Sequence, residues 1–126
     1  MMFKLFIIGL GGFFGAISRY AFSGWILRSF ENSYFPYGTL AVNLLGCLAI
    51  GFLAEVSELK QIFNPEIRLL IFIGFLGSFT TFSTFGLEVF NLLRDGSIIP
   101  ALLNLAAHIF LGLLAVWIGI VLARLI

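Results

Sequence analysis

Charge is scarce in this 126-residue sequence: 10% of it is Asp, Glu, Lys or Arg, and seven basic residues against six acidic ones leave a net charge of +1. That balance offers no electrostatic case for nucleic acid. Cysteine is single, at Cys47 in an apolar stretch, so neither a disulfide framework nor a thiolate metal site is available. Histidine is single as well. No carboxylate pair, no nucleophile with its base and no metal-ligand cluster can be assembled, so an enzyme is not expected. No soluble domain, low-complexity tract or internal repeat is visible.

Apolar residues fill the space that charge leaves. The chain is 61% hydrophobic, includes 16 Phe and 14 Gly, and has a mean hydropathy of +1.14, above what a soluble domain sustains. The expectation is an all-α integral membrane protein, a single transmembrane domain over residues 1–126. Each span needs about 20 residues to cross a hydrocarbon core about 30 Å thick. Four apolar segments fit, near 3–27, 39–56, 67–93 and 100–126. Asn32, Pro36 and Gly38 mark the first turn. Pro65 is placed to open the third helix, and "RDGS" turns the chain after it. Loops this short make neighbouring helices antiparallel. The first segment is too long for a signal peptide, shows no small-residue cleavage site and carries Arg19, so it reads as a retained span.

Orientation is weakly specified. A cytoplasmic N-terminus puts Lys4, Lys60, Arg68 and Arg124 on that side and Arg28 and Arg94 on the other, a margin of four to two. The protein inserts N-in with modest fidelity, or it inserts both ways, in which case two opposed copies can pair.

The polar residues at membrane depth carry the functional signal. Gly12, Gly15, Arg19 and Ser23 share one face of the first helix. An arginine there is costly, about 3 kcal/mol on insertion scales, unless it bonds carbonyls at a helix junction or reaches an aqueous vestibule. Thr39, Asn43 and Cys47 recur every four residues in the second span. Asn43 serves either as interhelical glue or as a donor to a passing ion. In the fourth span Asn104, His108 and Gly112 repeat that spacing, and a lone His there is ordinarily a packing residue. The third span is the richest. Thr81, Thr84 and Glu88 form a polar stripe, Phe79, Phe82 and Phe85 an adjoining aromatic one, and four of the six residues from Thr80 to Phe85 are hydroxylic. With Gly74 and Gly77 ahead of them, these predict a helix broken between Gly77 and Thr80, or else a kinked packing helix whose hydroxyls bond their own backbone. Hydroxyls, an amide and the positive edges of phenyl rings all attract an anion without trapping it. The freed carbonyls suit a cation instead.

The motifs "GGFFGAISRY", "GTLAVNLLGC", "GFLGSFTTFSTFGLE" and "NLAAHIFLGLLAVWIG" resemble those of the CrcB/Fluc fluoride channels, over nearly the whole chain. The resemblance implies a dual-topology, antiparallel homodimer in the bacterial inner membrane that passes fluoride passively out of the cell, with a structural sodium ion at the dimer interface. Carried over by position, Asn43, Phe82 and Phe85 coordinate fluoride, and Ser83 and Thr84 add hydroxyls. Thr39 and Glu88 match polar residues near a pore mouth, and Arg19 matches the first-helix arginine. Gly77 and Thr80 offer carbonyls to the sodium. Gly112 stands where some members have a hydroxyl, so a fourth-helix donor falls to Asn104 or His108. The rival readings are a dual-topology small multidrug-type exporter, whose embedded carboxylate would have to be Glu88, and a non-transporting assembly subunit whose polar stripes are helix glue.

Overall fold

The computed structural model describes residues 1–30 and 33–126; Asn32, read from the sequence as part of a turn, lies outside them. Every regular element among the described residues is helical, and four stretches are long and apolar enough to cross a membrane: Met2–Ser29, Tyr37–Lys60, Pro65–Arg94 and Ile98–Arg124. The first two are the continuous helices α1 and α2. The third span divides into α3, residues 65–79, and α4, Phe82–Arg94. The fourth is α5, Ile98–Arg124.

Local chemistry explains the ends. Gln61 takes a left-handed conformation, φ 53°, and stops α2 at Lys60, four residues beyond the Val56 expected from hydropathy. Asn64 then caps α3 by accepting the Ile67 N–H at 2.8 Å, with Pro65 at the first helical position, where its missing donor is harmless. Gly96, at φ 75°, supplies the positive dihedral needed to turn between α4 and α5. Two stretches widen into π-helix, Leu69–Leu76 in α3 and Ala107–Leu111 in α5. Such insertions leave little trace in hydrophobic periodicity.

Lipid tails are as apolar as leucine, so close backbone approach rather than hydrophobic burial drives helix association in a bilayer. Glycine provides that approach here. A methyl group on Gly11 would run into the Leu70 carbonyl, and one on Gly15 into that of Phe75, so α1 lies directly on α3. Gly11 makes this contact more intimately than the Gly12 singled out by spacing, whose added Cβ would come nearest the Ser78 hydroxyl, at 3.1 Å. Gly51 meets Val116 and Gly119 meets Leu48 in the same way, joining α2 to α5. The residue pairings run 43 with 108, 47 with 112 and 51 with 116, so these two helices are parallel. Pairs 39 with 88 and 43 with 81 set the third span antiparallel to α2. The third span changes partner at its break, α3 against α1 and α4 against the first turns of α5, where Phe85, Val89, Leu92 and Ala101 form a buried cluster.

Polar ties close one end of the bundle. Arg124 bonds Glu55 at 2.7 Å, Arg68 donates to the Ser57 hydroxyl at 2.8 Å, and Lys60 donates to the Ile126 carbonyl at 2.9 Å. Arg28 and Arg94 lie at the opposite end, with Asp95, which accepts from the Tyr34 hydroxyl.

Candidate functional site

The break in the third span falls at Thr80 and Thr81, both extended (φ −86°, ψ 158° and φ −151°, ψ 115°), whereas Gly77–Phe79 is still helical. It therefore comes later than the Gly77–Thr80 stretch expected from sequence. Two adjacent β-branched threonines disfavour helix, and the second is a good N-cap. Thr81 Oγ1 accepts the Thr84 N–H at 3.3 Å and lies 3.0 Å from the Thr84 hydroxyl. The Thr80 hydroxyl donates back to the Leu76 carbonyl at 2.9 Å.

Asn43 holds the break open. Its Oδ1 accepts the Thr81 N–H at 2.9 Å, and its Nδ2 donates to the Thr81 carbonyl at 3.1 Å. One side-chain amide thus supplies the acceptor that the Thr81 N–H has lost, which would otherwise be bare at membrane depth, and adds a donor to the Thr81 carbonyl, the first acceptor of α4. The second Nδ2 hydrogen reaches His108 Nε2 at 3.1 Å, and His108 Nδ1 lies 3.0 Å from the Asn104 carbonyl. A carbonyl only accepts, so Nδ1 carries the ring proton and Nε2 accepts from Asn43. Both ring nitrogens of His108 and both amide hydrogens of Asn43 are engaged within the protein. The ring also stacks on Phe85, centroids 4.0 Å apart.

Three cavities follow one another along this track. The first, about 390 Å³, gathers Asn43, Cys47, Gly77, Thr80, Phe82, Phe85 and His108. The second, about 330 Å³, is lined by Arg19, Ser23, Thr39 and Thr84, and Thr81 belongs to both. The third, also about 330 Å³, holds Tyr34, Glu88, Asn91 and Asp95 near the loop that precedes α2. Thr39 of the second donates to Glu88 of the third at 2.5 Å. The other Glu88 oxygen, and both polar atoms of the fully buried Asn104 side chain, are buried without a protein partner among the described residues. Ser83 is exposed and lies 3.4 Å from the Thr81 hydroxyl.

The aromatic residues divide. Phe79 does not share a face with Phe82 and Phe85, because the break intervenes; it packs on Phe75 at 5.8 Å, and Phe22 is 6.4 Å away. Phe82 and Phe85 meet edge to face, centroids 5.5 Å apart, with Phe85 buried and Phe82 82% exposed. Thr81, absent from the residues singled out as site groups by sequence, is the residue around which the site is organised. Its signal was its place as the second of two adjacent β-branched threonines, the residue type favoured at an N-cap.

The break also answers whether a cation fits. In a continuous helix the Gly77 carbonyl would accept from the Thr81 N–H and the Thr80 carbonyl from the Thr84 N–H. Asn43 and the Thr81 hydroxyl have taken those donors, so both carbonyls are left without their helical partners. Such hard oxygen groups suit an alkali cation.

Four apolar spans around a hydrogen-bonding track, uncharged at the break and flanked by Arg19 and Glu88, define a multi-pass membrane protein equipped for ion transport. Residues 6–120 match the family described as CrcB-like protein, Camphor Resistance (CrcB). The chain is 46% identical over 123 residues, 98% of each partner, to "Fluoride-specific ion channel FluC" of Citrifermentans bemidjiense. It is 42% identical over 118 residues, 94% of this chain and 88% of the relative, to "Fluoride-specific ion channel FluC 1" of Methanosarcina acetivorans. To "Fluoride-specific ion channel FluC" of Trichormus variabilis it is 46% identical over 119 residues, 94% of this chain and 86% of the relative. The chain belongs to the CrcB family.

Proposed function

We propose that this protein is a passive fluoride channel that lets fluoride leave the cytoplasm, and that it works as an antiparallel homodimer with a structural sodium ion between the subunits. The observation that carries the reading is the clamped break at Thr80–Thr81. It opens α4 in mid-span, where the N–H groups of Phe82 and Ser83 have no carbonyl one turn back within the helix. Discontinuous helices present such N-termini to anions inside membranes. The Ser83 and Thr84 hydroxyls and the edges of the Phe82–Phe85 pair surround that end with further donors of partial charge. Fluoride, rather than another small anion, is supported by the names of the relatives.

The dimer is supported by what one chain leaves uncovered. Phe82 and Gly77 are exposed beside the 390 Å³ cavity, at a depth where lipid cannot satisfy a free carbonyl. A second, inverted copy would cover this face and bring its own Gly77 and Thr80 carbonyls to the same axis. A sodium ion bound there would offset the repulsion of those dipoles without being transported. Asn43 contributes by holding the break, with His108 behind it. Arg19, Thr39 and Glu88 line the approach from the Arg28–Arg94 end.

Purified protein in liposomes, with potassium shunted by an ionophore, is expected to dissipate a fluoride gradient and leave chloride in place. Equal loss of both ions, or of neither, refutes the channel. Two added lysines in "SELKQ" are expected to bias all copies to one orientation, and that protein is expected to be silent until mixed with an oppositely biased partner. Full activity from the biased protein alone would remove the antiparallel dimer.

A further inference from the structure

We propose that His108 is a proton-sensitive positioning residue: its neutral ring locks Asn43 onto the Thr81 peptide, and a proton on Nε2 releases that lock. His108 and Asn43 belong to a chain of hydrogen bonds in which every donor and acceptor is assigned by its neighbours. The Asn104 carbonyl requires the proton on Nδ1, so Nε2 is the acceptor for Asn43 Nδ2 at 3.1 Å. Asn43 in turn has its oxygen on the Thr81 N–H and its other hydrogen on the Thr81 carbonyl. The amide orientation is thereby over-determined.

Protonation breaks this logic. An imidazolium donates from both nitrogens, so Nε2–H would face the Asn43 amino group, donor against donor. Turning the amide over would give the ring an acceptor, but would set the Asn43 amino group against the Thr81 N–H and its oxygen against the Thr81 carbonyl. Turning the amide costs both Thr81 bonds, and leaving it in place sets two donors face to face, which pushes Asn43 away from Thr81; the clamp is weakened in both cases. The ring lies against Phe85, tilted by 32° with centroids 4.0 Å apart, and sits in the π-helical turn Ala107–Leu111. π-Turns of this kind are often found at functional positions.

The surroundings supply no competing charge at the ring. On α2 the nearest titratable group is Cys47, which lines the same cavity. On α4 it is Glu88, whose carboxylate is held by Thr39. Arg19 of α1 lines the neighbouring cavity. Among the described residues, no carboxylate lies within salt-bridge distance of the imidazole. The effector is the proton itself, and the titrating group is the one histidine of the sequence.

That singularity makes the test clean. Protein labelled with 15N only at histidine, in nanodiscs, gives one imidazole spectrum. At neutral pH it is expected to show a protonated Nδ1 and an unprotonated Nε2, and on acidification the Asn43 side-chain amide signals, followed in uniformly labelled protein, are expected to move with the ring. The opposite tautomer, or an Asn43 amide indifferent to the ring, overturns the proposal without reference to transport. The second arm rests on the channel reading. Fluoride efflux, corrected for protein-free vesicles, is expected to fall with acid at the same midpoint, approaching about tenfold per pH unit, the limit for loss of one deprotonated form. His108→Gln keeps an acceptor for Asn43 but cannot titrate, so its efflux, whatever its rate, is expected to lack this step. A wild-type pH profile in His108→Gln would overturn the proposal. Absence of efflux at every pH would sink the channel reading, and the tautomer measurement would still decide the role of His108.

Discussion

Along the third span, α3 lies against α1 with almost nothing between the two backbones, whereas α4 lies against α5 through side chains. Gly11, Gly15 and Gly74 let carbonyls and Cα atoms of α1 and α3 approach to the limit of van der Waals contact. Phe85, Val89 and Leu92 hold α4 at side-chain distance from Ala101. The difference matches what each half must expose at the break. The α3 side ends in carbonyls, and the proposed sodium site would require them to be held rigidly. The α4 side begins with N–H groups and hydroxyls, and its side-chain packing leaves room for cavities beside them. One span thus offers opposite polarities a few residues apart because Asn43 prevents it from closing into a continuous helix.

The sharpest way to break that comparison is at the glycine seam. Gly15→Leu would drive a side chain into the Phe75 carbonyl, which is backbone and cannot yield, and is expected to abolish monodisperse protein. A folded, gel-filtration-competent Gly15→Leu would mean that α1 and α3 are not joined as described. Next comes the clamp. Asn43→Ala leaves the Thr81 N–H and His108 Nε2 without their partner and is expected to destabilise by a few kcal/mol, at about 1–3 kcal/mol per stranded group. Reversible denaturant titration in micelles measures it, and an unshifted midpoint would reduce Asn43 to a bystander.

Phenylalanine separates stability from conduction within α4. Phe85→Ala removes a buried ring and is expected to cost about 3–5 kcal/mol. Phe82→Ile, at an exposed position, is expected to leave the fold intact while slowing fluoride strongly. Efflux at the wild-type rate from Phe82→Ile would take this ring out of the pathway. Thr81→Val removes the cap hydroxyl but keeps the shape, for an expected loss of about 1 kcal/mol. The smallest effect is expected from Gly86→Ala, where a new methyl meets nothing within 4 Å in the single chain and helix propensity improves by about 0.5–1 kcal/mol. Marked destabilisation there would indicate that a second copy covers this face of α4.

Much of this was legible beforehand because the bilayer constrains sequence so strongly. Four apolar runs, their turns, the polar residues Asn43, Thr80 and Thr84 and the phenylalanines Phe82 and Phe85 beside them stand out in a sequence with little charge. The grouping of Asn43, His108, Phe82 and Phe85 around one cavity was not readable from spacing, since they come from three different elements. The position of the break was misplaced because glycine is not the weak point: Gly74 is tolerated in α3 through contact with α1, and Gly77 stays helical. The pair of threonines that does interrupt the helix needed Asn43, far away in sequence, to be stable.

Hydrophobicity by itself determined that this chain lies in a membrane, how many times it is able to cross, and that hydroxyls and an amide sit at mid-depth, because each of these follows from the composition of a local window. Only the tertiary structure decided which backbone N–H is left outside the helical ladder, which side chain replaces its partner, and which nitrogen of His108 carries the proton. Those are questions of donor and acceptor matching between elements, and hydrogen bonds have directions that composition does not record.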